Sequence, residues 1–399
     1  MAKRLMLFVI CALVLLTSCS KKAVDEKQTI TIWHDKEDSV ISVLEEALSP
    51  LKDEINIVFE KKSSLTESLK LVGNDVKNAP DMYIFAHDKI GVYAEMGILA
   101  PITDFISPSS LDKNIPLTVE AGTYKGVSYQ MPLYYETLLF LYNKKYMKEQ
   151  DVPKTTEELY LYMQKKTKYG HYGFVEQHST PYYAVGWIHG FGADLVDKEG
   201  NPLFDTAEMK KALEYHKNFV SLMPGETEYA TVNTLFLKGM AHSTLNGPWF
   251  IGAVMDAGID VGVAPMPVVD ETGLTLAPYC GVQGVHVLKA HAKEKKEEIT
   301  KVLNALQTAS VEIQLALSTG CAPALSECYE DERIKNDEVV MAMKETALNA
   351  LPMPNIPELD ILWSVAGNLL TDINMRNENV SSACDAAQKK ALELIEAMR

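Results

Sequence analysis

Strands and helices alternate through the body of this chain, and that order restricts its fold more than any other feature. Thr29-Ile30-Thr31-Ile32-Trp33 is an alternating, β-branched run that reads as a strand. Val40, Val43, Leu44, Ala47, Leu48 and Leu51 then recur at helical spacing. Residues 55–59 and 82–85 follow as strands, and residues 137–142, 259–263 and 285–288 extend the series. Thr155-Thr156-Glu157-Glu158 and Asp205-Thr206-Ala207-Glu208 open helices, the first as a capping box. Met209, Leu213, Val220 and Met223 share a face of the second, and three helical patterns close the chain, the last over residues 382–398. This order predicts an α/β fold with a parallel sheet covered on both faces. At 399 residues the chain exceeds one ordinary core, so two packed lobes are expected. No short repeat or Pro/Gly-rich linker suggests a floppy joint between them.

The N-terminus has a different character. Lys3 and Arg4 precede an apolar run over residues 5–16, too short to span a bilayer, which then ends in Leu16-Thr17-Ser18-Cys19. A basic region, a short apolar region and small residues make a secretory signal over residues 1–18. Its end resembles a bacterial lipobox, which implies cleavage before Cys19 and acylation of that thiol. Residues 19–28 are polar and suit a tether between lipid and domain. Without residues 1–18, which hold Lys3 and Arg4 and no acid, the 38 basic residues become 36 against 54 acidic ones, a formal charge of −18. Such a surface repels nucleic acid. Cys280, Cys321, Cys328 and Cys384 match no metal or redox spacing. They read as unpaired, buried small apolar residues.

In open α/β sheets, ligands sit beyond the carboxyl ends of the strands. Trp33-His34-Asp35-Lys36 and Phe85-Ala86-His87-Asp88-Lys89 occupy such positions, each placing a carboxylate beside an ammonium and an aromatic ring. Hydroxyl-rich ligands need charged donors and acceptors, and sugar C–H faces need flat rings. Glu136 follows Tyr134-Tyr135 at the start of an apolar run; Tyr182-Tyr183 and Asn246-Gly247-Pro248-Trp249 add aromatic rings. Trp187 reads as core, and His189 as interior or interface. No phosphate loop, nucleophile elbow, dinucleotide fingerprint or kinase signature occurs, so no catalytic residue, cofactor or metal is assigned.

These residues resemble the maltose/maltodextrin-binding proteins among the extracellular solute-binding proteins. Asp81-Met82-Tyr83-Ile84-Phe85-Ala86-His87-Asp88-Lys89 with Tyr93 is similar to one family segment, and Glu136 through Leu141-Tyr142-Asn143-Lys144 to another. Leu245-Asn246-Gly247-Pro248-Trp249 and Met353-Pro354-Asn355-Ile356-Pro357 with Trp363 match two more. The resemblance implies a two-lobe periplasmic-binding-protein type II fold with a ligand cleft and three crossings, near residues 132–137, 281–286 and 330–337. One lobe would take residues 29–133 and 285–333, the other 136–281 and 337–399. It implies hydroxyl contacts from Asp35, Lys36, Glu67, Asp88, Lys89 and Glu136. Phe85, Tyr182, Trp249, Met353 and Trp363 would supply stacking or apolar contacts. The implied role is to bind an oligosaccharide and deliver it to an ABC permease and its ATPase, as a monomer held outside the cytoplasm by lipid.

Several positions depart from the family. Phe85 stands for a tryptophan, Lys89 for an arginine, Thr180 for a glutamate, Ser364 for a tyrosine and Gly367 for an arginine. Lysine does not replace a bidentate arginine, so the sugar itself stays open. Three other readings remain at this point: a ferric-ion or polyamine binder, suggested by the paired tyrosines; a secreted glycan-active enzyme using two of Asp35, Asp88 and Glu136; and a surface adhesin.

Overall fold

The computed structural model describes residues 27–197, 199–225 and 228–398. The expected signal peptide, Cys19 and the tether up to residue 26 lie outside the described residues. In chain order the strands are β1 (Gln28–His34), β2 (Ile55–Lys61), β3 (Met82–Ala86), β4 (Met131–Thr137), β5 (Leu139–Asn143), β6 (Ser243–Asn246), β7 (Val261–Ala264), β8 (Tyr279–Val287), β9 (Ala322–Pro323) and β10 (Leu351–Pro352). A minor hairpin occupies residues 123–128. β1 begins at Gln28, the last residue assigned to the tether.

Two sheets carry the two lobes, and each lobe is called larger or smaller by its sheet, not by its share of the chain. The larger runs β9-β4-β8-β3-β1-β2 with β10 joined to β8, and the smaller runs β6-β5-β7. β1 pairs parallel with β2 and β3, as expected, but β8 runs antiparallel to both β3 and β4. The larger sheet is therefore mixed. The reason is the route of the chain: β4 leaves the larger sheet at its carboxyl end, and β8 returns from the smaller lobe at that same end. What reads in the sequence as one strand over residues 137–142 is two strands, separated at Leu138, one in each sheet. That step falls one residue beyond the expected crossing at 132–137.

Each lobe buries its own apolar residues. In the larger, Ile30, Ile32, Met82, Ile84, Val285 and Val287 pack against Val40, Leu44, Val302 and Leu306 on one sheet face. Leu65, Leu69, Tyr83, Ile90 and Tyr93 cover the other. In the smaller, Phe140, Phe174, Trp187 and Phe219 form one core. Helices Pro181–His189, Ala207–Val220, Leu359–Asn374 and Val380–Met398 form another through Ile188, Leu213, Leu362, Leu369 and Cys384. The helix starts follow their caps. Thr155 accepts from the Glu158 N–H and Thr206 from the Met209 N–H. Glu158 completes its half of the motif on the Lys154 N–H rather than on the cap residue. All four cysteines of the body are free and buried. Among the described residues, no helix is long and apolar enough to cross a membrane.

Residues 353–357 tie the smaller lobe's last helices to the larger lobe. The Gly91 N–H donates to Asn355 O at 2.8 Å, and Asn355 Nδ2 donates to Ala121 O and Thr123 O at 2.9 and 2.8 Å. Gly91 is required by proximity, since a Cβ there would lie 2.2 Å from Asn355 O. Gly91→Ala should therefore lower stability by about 1–3 kcal/mol through forced displacement of this segment. Urea denaturation checks it; a midpoint equal to that of the parent would show that the contact yields freely.

Candidate binding cleft

The carboxyl ends of β1, β3 and β4 bring together residues from distant parts of the chain. After β1, the Lys36 N–H donates to His34 Nδ1 at 3.2 Å, which folds the turn carrying Asp35 and Lys36. Lys36 Nζ lies 2.8 Å from Asp35 Oδ1 and donates to Gln283 Oε1 at 2.8 Å. The same ammonium stands 5.3 Å from the Phe85 ring centroid, at the end of β3. Gln283 Nε2 in turn donates to Glu136 Oε1 at 3.1 Å. A continuous polar chain, Asp35–Lys36–Gln283–Glu136, thus joins the end of β1 to β8 and β4 across the larger sheet.

Gln283 owes its position to β8. Every residue of that strand is buried, yet its pairing with β4 shifts register between Gln283 and Gly284. Such a bulge re-aims side chains. Opposite Glu136 in the pairing stands Gly281, and a Cβ there would lie 3.5 Å from Met353 Cε and 3.7 Å from Glu136 Cγ. Met353 and Glu136 therefore flank a bare stretch of backbone. On the far side of β4, Cys321 Sγ lies 3.7 Å from Glu136 Oε2.

The smaller lobe supplies the rings. Tyr182, on helix Pro181–His189, sits 6.3 Å centroid to centroid from Trp249, and 5.7 Å from Tyr183. Trp249 is 41% exposed, an unusual state for so large an apolar side chain, because it stands at the helical turn Pro248–Phe250 after β6. Trp363 meets Tyr279 edge-to-face at 5.8 Å.

A second polar group lies after β3. Lys89 Nζ is 3.3 Å from Asp88 Oδ2 and 2.5 Å from Asp360 Oδ1 on helix Leu359–Asn374. His87 joins the two groups: its Nδ1 accepts the Val282 N–H at 3.1 Å, so its Nε2 carries the proton and donates to Met353 O at 2.9 Å. Both ring nitrogens are thereby occupied, so neither is available to hold a metal ion. Burial holds its pKa below the ordinary value.

Ten of the eleven candidate residues thus fall into two groups that share the Met353 segment. Asp35, Lys36, Phe85, Glu136, Tyr182, Trp249, Met353 and Trp363, the last packed on the same core as Tyr182 and Met353, make one; Asp88 and Lys89 make the other with Asp360. Glu67 is the outlier. It is exposed and pairs with Lys70 at 3.1 Å, although its charge, with those of Asp88 and Asp360, reaches the Tyr93 phenol. Gln283, His87, Cys321 and Asp360 are additions from the structure. Gln283 had one visible signal, a polar residue inside a run of small and apolar ones. Asp360 had none beyond a helix first turn, where acids are common.

Burial pushes the Glu136 carboxyl above its ordinary value, against the pull of the Gln283 hydrogen bond and the Lys36 charge, although part of the side chain still meets solvent. Burial likewise pushes the Tyr134 and Tyr182 phenols well up. Phenolate ligands for iron are correspondingly hard to form here, and Tyr135 spends its hydroxyl on Tyr329 at 2.9 Å.

Three comparisons bear on this arrangement. The family model for bacterial extracellular solute-binding proteins matches residues 52–342. A maltotriose-binding protein of Pyrococcus abyssi is 34% identical over 357 residues, covering 86% of this chain and 77% of its own length. A galactooligosaccharide-binding protein of Bacillus subtilis is 26% identical over 423 residues, covering 100% of this chain and 98% of its own. Among solved structures, a cyclo/maltodextrin-binding protein complexed with maltotetraose is similar with a TM-score of 0.85 and 25% identity, over 94% of this chain and 100% of that one.

The raised Glu136 pKa has a pH consequence of definite sign. The folded state binds this proton more tightly than the unfolded chain, so its contribution to stability is present below the unfolded carboxylate value of about 4.3 and is lost as pH rises through the folded value. Comparing urea unfolding of the parent and Glu136→Gln between roughly pH 4 and pH 7 isolates it. The parent should lose stability relative to the variant as pH rises, by at most about 1.4 kcal/mol per pH unit. Parallel pH profiles would contradict the assignment.

Proposed function

The chain belongs to the bacterial extracellular solute-binding proteins, and from that premise we propose that it is the ligand-binding component of an ABC importer for a maltodextrin-type oligosaccharide. The observation that carries this reading is the Asp35–Lys36–Gln283–Glu136 chain on the larger sheet, whose Glu136 charge reaches the phenol of Tyr182, itself beside Trp249. A pyranose presents hydroxyls at its edge and C–H groups on its faces. The polar chain suits the first and the rings suit the second. Asp35, Lys36, Glu136, Asp88 and Lys89 are the proposed hydroxyl partners; Phe85, Tyr182, Trp249, Met353 and Trp363 are the proposed apolar ones. Glu67 is a weaker candidate at the rim. Relatives named for maltotriose and for maltotetraose complexes support the choice of sugar.

The mechanism is hinge closure. Lobes of residues 29–133 with 285–333 and 136–281 with 337–399 close around the ligand about the three crossings and expel water from the cleft. Closure is favoured by contacts made only in the closed state. Near-complete switching takes on the order of 5.5 kcal/mol of differential binding. A few hydrogen bonds to charged groups, at roughly 1.5–3 kcal/mol each, supply it. The protein binds without transforming its ligand. Acylation at Cys19, read from the lipobox alone, keeps the monomer at the outer face of the membrane near its permease and ATPase.

One second reading has an observation behind it. The galactooligosaccharide-binding relative spans the full chain, and Ser364 and Gly367 remove polar and aromatic groups beside Trp363 that the maltodextrin binders use. Calorimetry of the mature protein with maltotriose and with a β-galactooligosaccharide separates the two. Saturable heat with maltotriose alone supports our reading, heat with the galactoside alone supports the second, and heat with neither contradicts both. Trp249→Ala should weaken maltotriose binding roughly tenfold or more, because a stacked ring contributes about 0.5–1.5 kcal/mol beyond its buried area. Unchanged affinity in that variant would remove Trp249 from the cleft.

A further inference from the structure

We propose that Asp360 is a positioning residue of the cleft: it holds the Lys89 ammonium across the gap between the lobes, orients it towards the ligand and favours closure. The inference rests on the binding function proposed above and adds a residue that the sequence resemblance does not assign.

The two partners belong to different cores. Lys89 follows β3 and precedes Ile90 and Tyr93, which pack in the larger lobe. Asp360 lies in the first turn of helix Leu359–Asn374, whose Leu359 is buried and whose Leu362, Val365 and Ala366 pack in the smaller lobe. The 2.5 Å contact between Lys89 Nζ and Asp360 Oδ1 therefore exists only while the lobes stand this close. The first-turn position stabilises any acid through the helix N-terminus. That effect explains a carboxylate at 360, but not its contact with a lysine of the opposite lobe.

A lysine at this point needs such a partner. An arginine fork is rigid and fixes its own geometry, whereas an ammonium on a four-carbon stem does not. Lys89 is 15% exposed and is gripped by Asp88 at 3.3 Å as well as by Asp360. An ammonium has three N–H groups, so two carboxylates leave one for a ligand hydroxyl. Both acids hold the Lys89 pKa above its ordinary value, against the effect of burial. Trp363 stands three residues after Asp360 on the same helix face, so the held ammonium and a ring proposed to meet the sugar share one wall.

Asp360 is 54% exposed, so the pair has the modest worth of a partly solvated ion pair, about a 2- to 5-fold effect on affinity. The test compares the parent, Asp360→Asn, Lys89→Met and the double variant by calorimetry with maltotriose. Ionic strengths of about 0.01 M and about 1 M shrink the screening length from roughly 30 Å to roughly 3 Å. Asp360→Asn should weaken binding about 2- to 5-fold at low salt and far less at high salt. The double variant should bind like Lys89→Met alone. Full parental affinity at low salt, a loss insensitive to salt, or a loss that adds to that of Lys89→Met would overturn the proposal. A second readout needs no sugar: spin-label distances across the cleft should lengthen in Asp360→Asn. If the parent binds neither sugar yet the variant opens, the sugar assignment fails and the tie stands. If sugar binds and the variant changes neither affinity nor distance, the tie fails and the sugar assignment stands.

Discussion

The nine buried residues of β8 are the constraint on which the rest of the structure depends. This strand returns from the smaller lobe, inserts antiparallel between β3 and β4, and carries β10 at its start. Its amide at Val282 fixes the tautomer of His87, its bulge re-aims Gln283, and its Gly281 lies between Met353 and Glu136. Remove the strand's pairing and the ends of β3 and β4 lose their common reference, and with it the polar chain that joins Lys36 to Glu136.

The electrostatics of the cleft follow from that placement. Acids outnumber ammonium groups there, and Lys36 and Lys89 are each engaged by at least one carboxylate, so the groove presents fixed donors and acceptors with an acidic excess. Such a lining suits a neutral ligand rich in hydroxyls, whose own groups both donate and accept. An anion would instead find its counter-charges already taken. The acidic exterior is compatible with that selection, because it neither attracts nor repels an uncharged sugar.

How much of this was legible in the sequence varies with the kind of interaction. β1, β2 and β3 were visible because a half-buried strand alternates or concentrates β-branched residues. The Thr155 and Thr206 helix starts were visible because a cap is local chemistry. β8 was legible only over its last residues, since Tyr279-Cys280-Gly281-Val282-Gln283-Gly284 is buried throughout, holds two glycines and has no period to read. The break at Leu138 was hidden for a related reason: one apolar run serves two sheets. The candidate site was legible where residues follow strand ends, as Asp35, Lys36, Asp88 and Lys89 do. The cross-chain partners were not, because nothing in local spacing joins Lys36 to Gln283 or Lys89 to Asp360 over such separations.

The central claim is that a sugar draws the two lobes together around the Glu136 and Trp249 walls. Small-angle scattering of the mature protein during a maltotriose titration measures this directly. The radius of gyration should fall and level off at the same sugar concentration at which calorimetric heat saturates. A radius that stays constant while binding heat is recorded would contradict the account, because the ligand would then occupy a surface that closure does not involve.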